Sequence, residues 1–394
     1  MSFRKRVRSL ALLAWLPLVL TTCGGASFDD PGTVKGLRVI AVQKSAPYPK
    51  PGEQVDLKLV FWDGKSSEDN PRDIYVAISP APCENPAGDL YYNCLASPGS
   101  IPIGGSGTPD AGTGTPDAGT DVPEGGTASS APGSAGFVAI KNASQAPFRN
   151  LASAKFVRAT PSRQGSALHD IDHVHEASVR ISSEIIDLHQ ATPGVPRYGV
   201  AYVLFLLCAG TPKLILNAGP NTFPLGCFDA EDHLQGPDDF VVGYTSIYVY
   251  GERINNNPVI DDFLFDGQSL ADSTTDEARV QHIPSCKESD RTKCPKFAVK
   301  PAVNRGLTVE IDDDPSARTP DGQQLQEQAW VSYYITRGEL KSSVRLVNDA
   351  TRGWNEQNGT EYTAPAEPGP VRLFAVIHDN RGGVAWAEGK IVVD

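Results

Sequence analysis

Three histidines and three carboxylates fall within eight residues, His169-Asp170-Ile171-Asp172-His173-Val174-His175-Glu176. Imidazole and carboxylate are the ligands that zinc and copper take. On a strand, His169, His173 and His175 share one face, because successive side chains alternate. On a helix, His169 and His173 stand one turn apart. A zinc or copper site, completed by Asp or Glu, is the metal reading of this cluster. The other reading is a polar loop or strand edge. A metal site also needs a closed outer shell that orients the imidazoles, and the chain offers no sign of one. The polar edge is therefore preferred, and no cofactor is expected.

Other chemistry is harder to find. His175-Glu176 is not followed by a histidine at zincin spacing, and no G-x-S-x-G elbow occurs. Gly105-Ser106-Gly107 and Gly112-Thr113-Gly114 lack the spacing of a dinucleotide loop. Asp312-Asp313-Asp314 begins like a calcium loop but lacks its sixth-position glycine, so it reads as a solvated turn. Asp110 and Asp117 have no further ligands around them. Tyr91-Tyr92, Tyr333-Tyr334, Trp354 and Trp386 would suit a carbohydrate or peptide platform, although aromatic residues on strands more often pack in cores. No catalytic residue can be nominated. An enzyme would need a site assembled from distant parts of the chain.

The amino terminus sets the compartment. Arg4, Lys5, Arg6 and Arg8 precede an apolar run from Leu10 to Leu20, the order and length of a secretory signal. That run is too short to span a bilayer, which takes about 20 apolar residues. It ends Leu20-Thr21-Thr22-Cys23-Gly24-Gly25, which resembles the lipobox of bacterial lipoproteins. The resemblance implies cleavage before Cys23 and acyl chains on that cysteine. Each buried methylene contributes about 0.8 kcal/mol, so several chains on one residue hold a protein to a membrane essentially permanently. Gly24 after the cysteine implies sorting to the outer membrane or cell surface, with a periplasm-facing position as the alternative.

The chain has seven cysteines. With Cys23 set aside, the rest fall in three close pairs: Cys83 and Cys94, Cys208 and Cys227, Cys286 and Cys294. Six cysteines allow 15 connectivities, and local pairing is the simplest. Bridges persist outside the cytoplasm, while the spacings are too wide for zinc–thiolate motifs.

The length of 394 residues allows two or three domains. Glycine and proline, 37 and 32 residues, suit many turns between short strands and argue against a helical chain. The formal net charge of −12 becomes −16 once the four positive residues of the leader are removed. So acidic a chain is a poor partner for nucleic acid.

Strand signals begin with Leu37 to Val42. Val55, Leu57, Leu59 and Phe61 then alternate with Asp56 and Lys58 at the period of a half-buried strand. Ile74–Ile78, Phe137–Ile140, Ala177–Ile181 and Phe240–Tyr250 read similarly. Gly199 to Cys208, the most apolar run of the mature chain, fits a central strand buried on both faces. Residues 97–136, with the repeat Thr108-Pro109-Asp110-Ala111-Gly112-Thr113, cannot bury enough apolar surface to offset their ordering entropy and read as disordered. The strands before residue 97 are too few for a closed sandwich, so this stretch is read as an insertion within one domain rather than a linker between two. Leu307–Ile311, Ala329–Ile335, Val371–Ile377 and Val384–Val393 are assigned to a second domain, the last two joined by the turn His378-Asp379-Asn380-Arg381-Gly382-Gly383.

The expected organisation is a signal at 1–22, a tether at 23–34, a first β-sandwich at 35–254 holding the insertion, and a second at 255–394. The fold class is all-β, with immunoglobulin-like sandwiches in tandem. Gly36-Leu37-Arg38-Val39-Ile40-Ala41-Val42, the Pro-Asp-Ala-Gly repeats, Asn256-Asn257-Pro258-Val259-Ile260 and Pro370–Trp386 together resemble uncharacterised surface lipoproteins of myxobacteria and related deltaproteobacteria. The resemblance covers most of the mature chain. It implies immunoglobulin-like domains and a surface address, and no activity. The expected role is structural, adhesive or binding, toward envelope proteins or polysaccharide, with the lipid anchor as the membrane contact. A metal- or ligand-binding lipoprotein using the histidine cluster is the alternative.

Overall fold

A computed structural model of the chain describes residues 30–66, 72–94, 157–159, 173–191, 193, 195–215, 225–311, 317–319 and 321–394. Cys23, the segment 97–136, the Phe137–Ile140 strand, His169 and Asp312–Asp314 lie outside the described residues. The chain divides after Pro31, and Gly32 to Asp394 is one compact unit.

The first half of that unit is a sandwich. One sheet has the order β1 (Leu37–Lys44), β2 (Gln54–Asp63), β6 (Val174–Arg180). The facing sheet runs β10 (Phe240–Tyr250), β7 (Tyr198–Cys208), β3 (Ile74–Ile78), β5 (Val157–Ala159), and β4 (Cys83–Glu84) also pairs with β7. The alternation in β2 is what closes it. Val55, Leu57, Leu59 and Phe61 point inward onto Ile74, Val76, Val203, Phe205, Leu207 and Ile247, while Asp56 and Lys58 stay exposed. Helix α1 (Ile185–Leu188) adds Ile185 to the same core. The segment between Cys94 and Val157 thus interrupts this one sandwich, because strands on both sides of it pair within the same two sheets.

The second half repeats the plan. One sheet has the order β12 (Gln268–Ser269), β11 (Ile260–Phe265), β14 (Phe297–Val303), β19 (Thr360–Thr363), β16 (Glu339–Leu340). The other runs β13 (Gln281–Ile283), β21 (Val384–Val393), β20 (Gly369–Asp379), β15 (Ala329–Ile335), β17 (Val344–Asp349), β18 (Gly353–Trp354). The order β11-β14-β19 against β21-β20-β15-β17 repeats β1-β2-β6 against β10-β7-β3-β5. Both are immunoglobulin-like Greek keys. Strict alternation in β15 sends Ala329, Val331, Tyr333 and Ile335 into the core. Buried Tyr333 donates its hydroxyl to the carbonyl of Asn358 at 2.7 Å. Tyr333→Phe keeps the ring and leaves that carbonyl unmatched, so it is expected to cost about 1 kcal/mol in urea denaturation. A loss below about 0.3 kcal/mol would show that the bond contributes nothing net.

One expected strand is corrected. Leu307–Ile311 was assigned to a strand, yet Arg305–Thr308 forms the short helix α2. Asn304 caps it, its side chain accepting from the Leu307 N–H. The cap satisfies backbone that a strand would have left to a neighbour, and it leaves Leu307 exposed.

The two sandwiches pack face to face. Ile40, Ala41, Val60 and Trp62 on the outer face of the β1-β2-β6 sheet meet Phe374, Val376, Val384 and Trp386 on the outer face of the β15-β20-β21 sheet. This gives four stacked sheets with a third apolar core at the seam. It explains why β20 is buried on both faces, with Val371, Leu373, Ala375 and Ile377 turned to its own sandwich. Gln43 Nε2 donates to the Val384 carbonyl at 3.0 Å, Asn257 Nδ2 to the Lys44 carbonyl at 2.6 Å, and Val34 N–H to the Ile335 carbonyl at 2.8 Å. Arg38 lies 5.0 Å over the Tyr334 ring. Among the described residues no helix is long and apolar enough to cross a membrane.

Candidate binding face on the first sandwich

The three disulfides are local: Cys83–Cys94, Cys208–Cys227 and Cys286–Cys294, with Cα separations of 5.8, 5.5 and 5.6 Å. Two of them fasten chain onto the outer face of β7. Residues of β7 alternate, with Ala201, Val203, Phe205 and Leu207 turned to the sandwich core. Leu206 and Cys208 turn outward under the hairpin of β8 (Thr211–Leu214) and β9 (Leu225–Phe228), which brings Leu225 and Cys227. Val200 and Tyr202 turn outward beside the Cys83–Cys94 bridge. The expectation that this run is a central strand covered on both sides matches what is observed.

The same alternation builds a row of tyrosines. Tyr198 and Tyr202 on β7, and Tyr244, Tyr248 and Tyr250 on the antiparallel neighbour β10, share the outward parity. After β4 the chain turns back across this face. Asn85 fixes the turn, its Nδ2 donating to the Ile185 carbonyl and its Oδ1 accepting from the Val200 N–H. Asn85, Gly88 and Asp89 all have positive φ, 44°, 66° and 57°. For Asn85 and Asp89 that conformation is disfavoured and persists only where surroundings impose it. At Asp89 they do. One carboxylate oxygen accepts from His189 Nε2 at 2.8 Å, the other accepts the Tyr198 hydroxyl, and the Asp89 carbonyl accepts the Tyr202 hydroxyl at 2.6 Å.

The turn thereby delivers Tyr91 onto Tyr244, with ring centroids 4.3 Å apart and planes at 18°. Tyr92 stands edge-on to Tyr91 at 5.9 Å. Tyr91 and Tyr92 remain 40 % and 47 % exposed, with Leu90 beside them. The row continues through Tyr202 and Tyr244 at 5.5 Å, Tyr198 and Tyr248 at 6.1 Å, and Tyr250 and Tyr48 at 4.7 Å. Arg253 and Arg381 lie over the rings at its far end, on Tyr250 and Tyr48. Burial, and then the neighbouring Tyr248 and Tyr244 hydroxyls, push the Tyr202 phenol up to about 12. Burial likewise raises Tyr198, Tyr244 and Tyr248. These hydroxyls stay protonated near neutral pH and can donate as well as accept.

Of the residues singled out from sequence, Tyr91 and Tyr92 are the pair on this face. Tyr333 is core, Tyr334 and Trp386 belong to the seam, and Trp354 packs on the second core. The histidine cluster is not assembled as a metal centre in the described residues. His173 is buried at the seam, its Nε2 2.7 Å from a Glu388 carboxylate oxygen. His175 is on β6 opposite Leu59. Among the described residues the grouping with metal-ligand spacing is Asp229, Glu231 and His233. There Asp229 already accepts from the His233 and Glu231 N–H groups and from Gln235, closing an exposed turn. The Asp89–His189 pair resembles two members of a hydrolytic triad. Among the described residues no serine, threonine or cysteine side chain is bonded to His189.

The tyrosine row went unread in the sequence, although it had a signal. Tyr244, Tyr248 and Tyr250 share parity within a strand whose length was anticipated, and Tyr198 and Tyr202 do so in the next. Only the pairing of β7 with β10 shows that the two sets form one surface.

The fold and face together define a tandem immunoglobulin-like protein with an exposed aromatic face. No family model and no curated protein matches the chain. Among solved structures it is similar to dimeric latent PorU from Porphyromonas gingivalis, at 8 % identity and a TM-score of 0.18. The match covers 92 % of this chain and 24 % of that one. A likeness so slight carries no argument about function.

Proposed function

We propose that this chain is an exported lipoprotein, anchored through Cys23 at the outer membrane or cell surface, whose role is adhesive or structural binding rather than catalysis. The observation that carries the reading is the pair of exposed rings, Tyr91 and Tyr92, held by a disulfide and by the engaged carboxylate of Asp89. Rigid tyrosines supply contact area at low entropic cost, which suits them to recognition. The cysteine pattern supports the address. Six cysteines form three bridges, which leaves Cys23 as the odd one for acylation.

Two measurements test this. Mass spectrometry of the mature protein is expected to show a chain beginning at Cys23 with an added mass of acyl groups. An unmodified Cys23 would remove the anchor. Sedimentation of the unlipidated chain (Cys23→Ser) with isolated envelopes is expected to retain the protein that keeps both tyrosines and to lose most of the Tyr91→Ala/Tyr92→Ala form. Equal retention of the two would remove the face as the binding surface.

A further inference from the structure

We infer that the tyrosine face takes a neutral polysaccharide, with sugar rings stacking on the exposed Tyr91 and Tyr92 and sugar hydroxyls meeting their phenol groups. This rests on the reading of the face as a binding surface and names its ligand.

The chemistry of the face selects among ligand classes. A pyranose presents an apolar face of C–H groups and a rim of hydroxyls. It therefore needs flat aromatic surface beside uncharged donors and acceptors, and tyrosine supplies both in one side chain. Tyr91 lies nearly parallel to Tyr244 at 4.3 Å, so the exposed end is a flat platform. The two exposed rings stand 5.9 Å apart, so neighbouring sugars of one chain can each meet one of them.

Other ligands fit less well. A polyanion would need cations, yet the arginines over the row, Arg253 and Arg381, stand at its far end from Tyr91, and the whole chain carries a net charge of −12. A cation would need an available carboxylate, and both oxygens of Asp89 are engaged by His189 and Tyr198. A polyproline peptide docks in grooves between upright aromatic ridges, whereas Tyr91 is laid flat on its neighbour. Preorganisation strengthens the case. The turn is fixed by the Cys83–Cys94 bridge, the Asn85 bonds and Asp89, so little ordering remains to be done when a ligand arrives.

The test uses the full mature chain in detergent, titrated by calorimetry with soluble galactomannan, with polygalacturonate, and with a proline-rich peptide. Galactomannan is expected to bind and polygalacturonate to bind at least tenfold more weakly. Tyr91→Ala and Tyr92→Ala are each expected to weaken galactomannan binding about tenfold, near 1.4 kcal/mol, with thermal stability kept close to wild type. Tyr92→Trp, which retains a stacking surface, is expected to restore binding. No binding of galactomannan, or binding indifferent to both alanine variants, overturns the inference. If the peptide binds instead and loses affinity in Tyr91→Ala, the face is a binding surface but its ligand is not a glycan. If no probe binds and envelope sedimentation is also indifferent to the variants, the face has no binding role at all.

Discussion

Replacing Glu388 with alanine is expected to lower the unfolding free energy by about 3–5 kcal/mol, the usual cost of removing one partner from a buried ion pair. Glu388 sits on β21 with its side chain 8 % exposed. One carboxylate oxygen is 2.8 Å from an Arg372 guanidinium nitrogen, and the other is 2.7 Å from His173 Nε2. Arg372 also lies 5.6 Å over the Trp62 ring. His173 packs edge-on against Trp62 and Phe374, and its carbonyl accepts from the Phe61 N–H at 2.9 Å. Burial already lowers the Arg372 guanidinium from its ordinary value, and the Glu388 carboxylate opposes that. Without Glu388, a guanidinium and an imidazole in the buried seam lose the carboxylate that they share. Urea denaturation at pH 7 measures the loss. The double variant Glu388→Leu/Arg372→Met, which removes both charges, is expected to recover much of it, because apolar replacements of buried pairs are often neutral. A Glu388→Ala variant within about 1 kcal/mol of wild type would show that the seam is wetter than its burial implies.

That prediction depends on a feature invisible in the chain read strand by strand. Strand positions were legible because their signals are local. Alternation in β2 and β15 and the run in β7 each report which side chains are buried, and the glycine- and proline-rich turns mark where they end. The apolar residues of β20 report more than they were asked. Val371, Leu373, Ala375 and Ile377 satisfy one core, so the equally apolar Phe374 and Val376 required a second covering, and that covering is the other sandwich. The period-2 rule says that both faces are buried but not against what. Likewise the histidine cluster was visible as composition, while the partner of His173 is 215 residues away, a distance no spacing rule spans. The tyrosine face was missed for the same reason. Its tyrosines come from β7, β10 and the turn after β4, and only sheet pairing joins them. Leu307 failed in the opposite sense, since its local apolar signal was overruled by an equally local cap at Asn304.

Stability is expected to fall as pH rises from about 6.5 to 8, and Glu327→Gln is expected to abolish most of that fall. Glu327 precedes β15 with its side chain 1 % exposed. Burial, and then the nearby Asp379 carboxylate, push its carboxyl up to about 8, against the pull of Arg381 at 3.1 Å. Between the ordinary 4.5 and this raised value, the folded protein holds a proton that the unfolded chain has released. Folding is then favoured at low pH, and the advantage is lost as pH rises through the folded value. Asp379, raised first by its own burial, acts in the same direction. Two neighbours act oppositely but outside the chosen window. His378 is held down to about 4 by burial and then by Lys44, so its contribution grows with pH and is complete above about 6.5. Lys44, lowered to about 8 by burial, makes the protein more stable with rising pH only beyond that value. The Glu327→Gln variant isolates the part of the fall between 6.5 and 8 that belongs to the Glu327 carboxyl. The wild type is expected to lose about 2 kcal/mol across that interval, and Glu327→Gln, which keeps the shape without the charge, to exceed it by a similar amount at pH 8. Denaturation midpoints at three pH values decide it. Parallel pH profiles for the two proteins would mean that Glu327 stays ionised, held by Arg381, throughout.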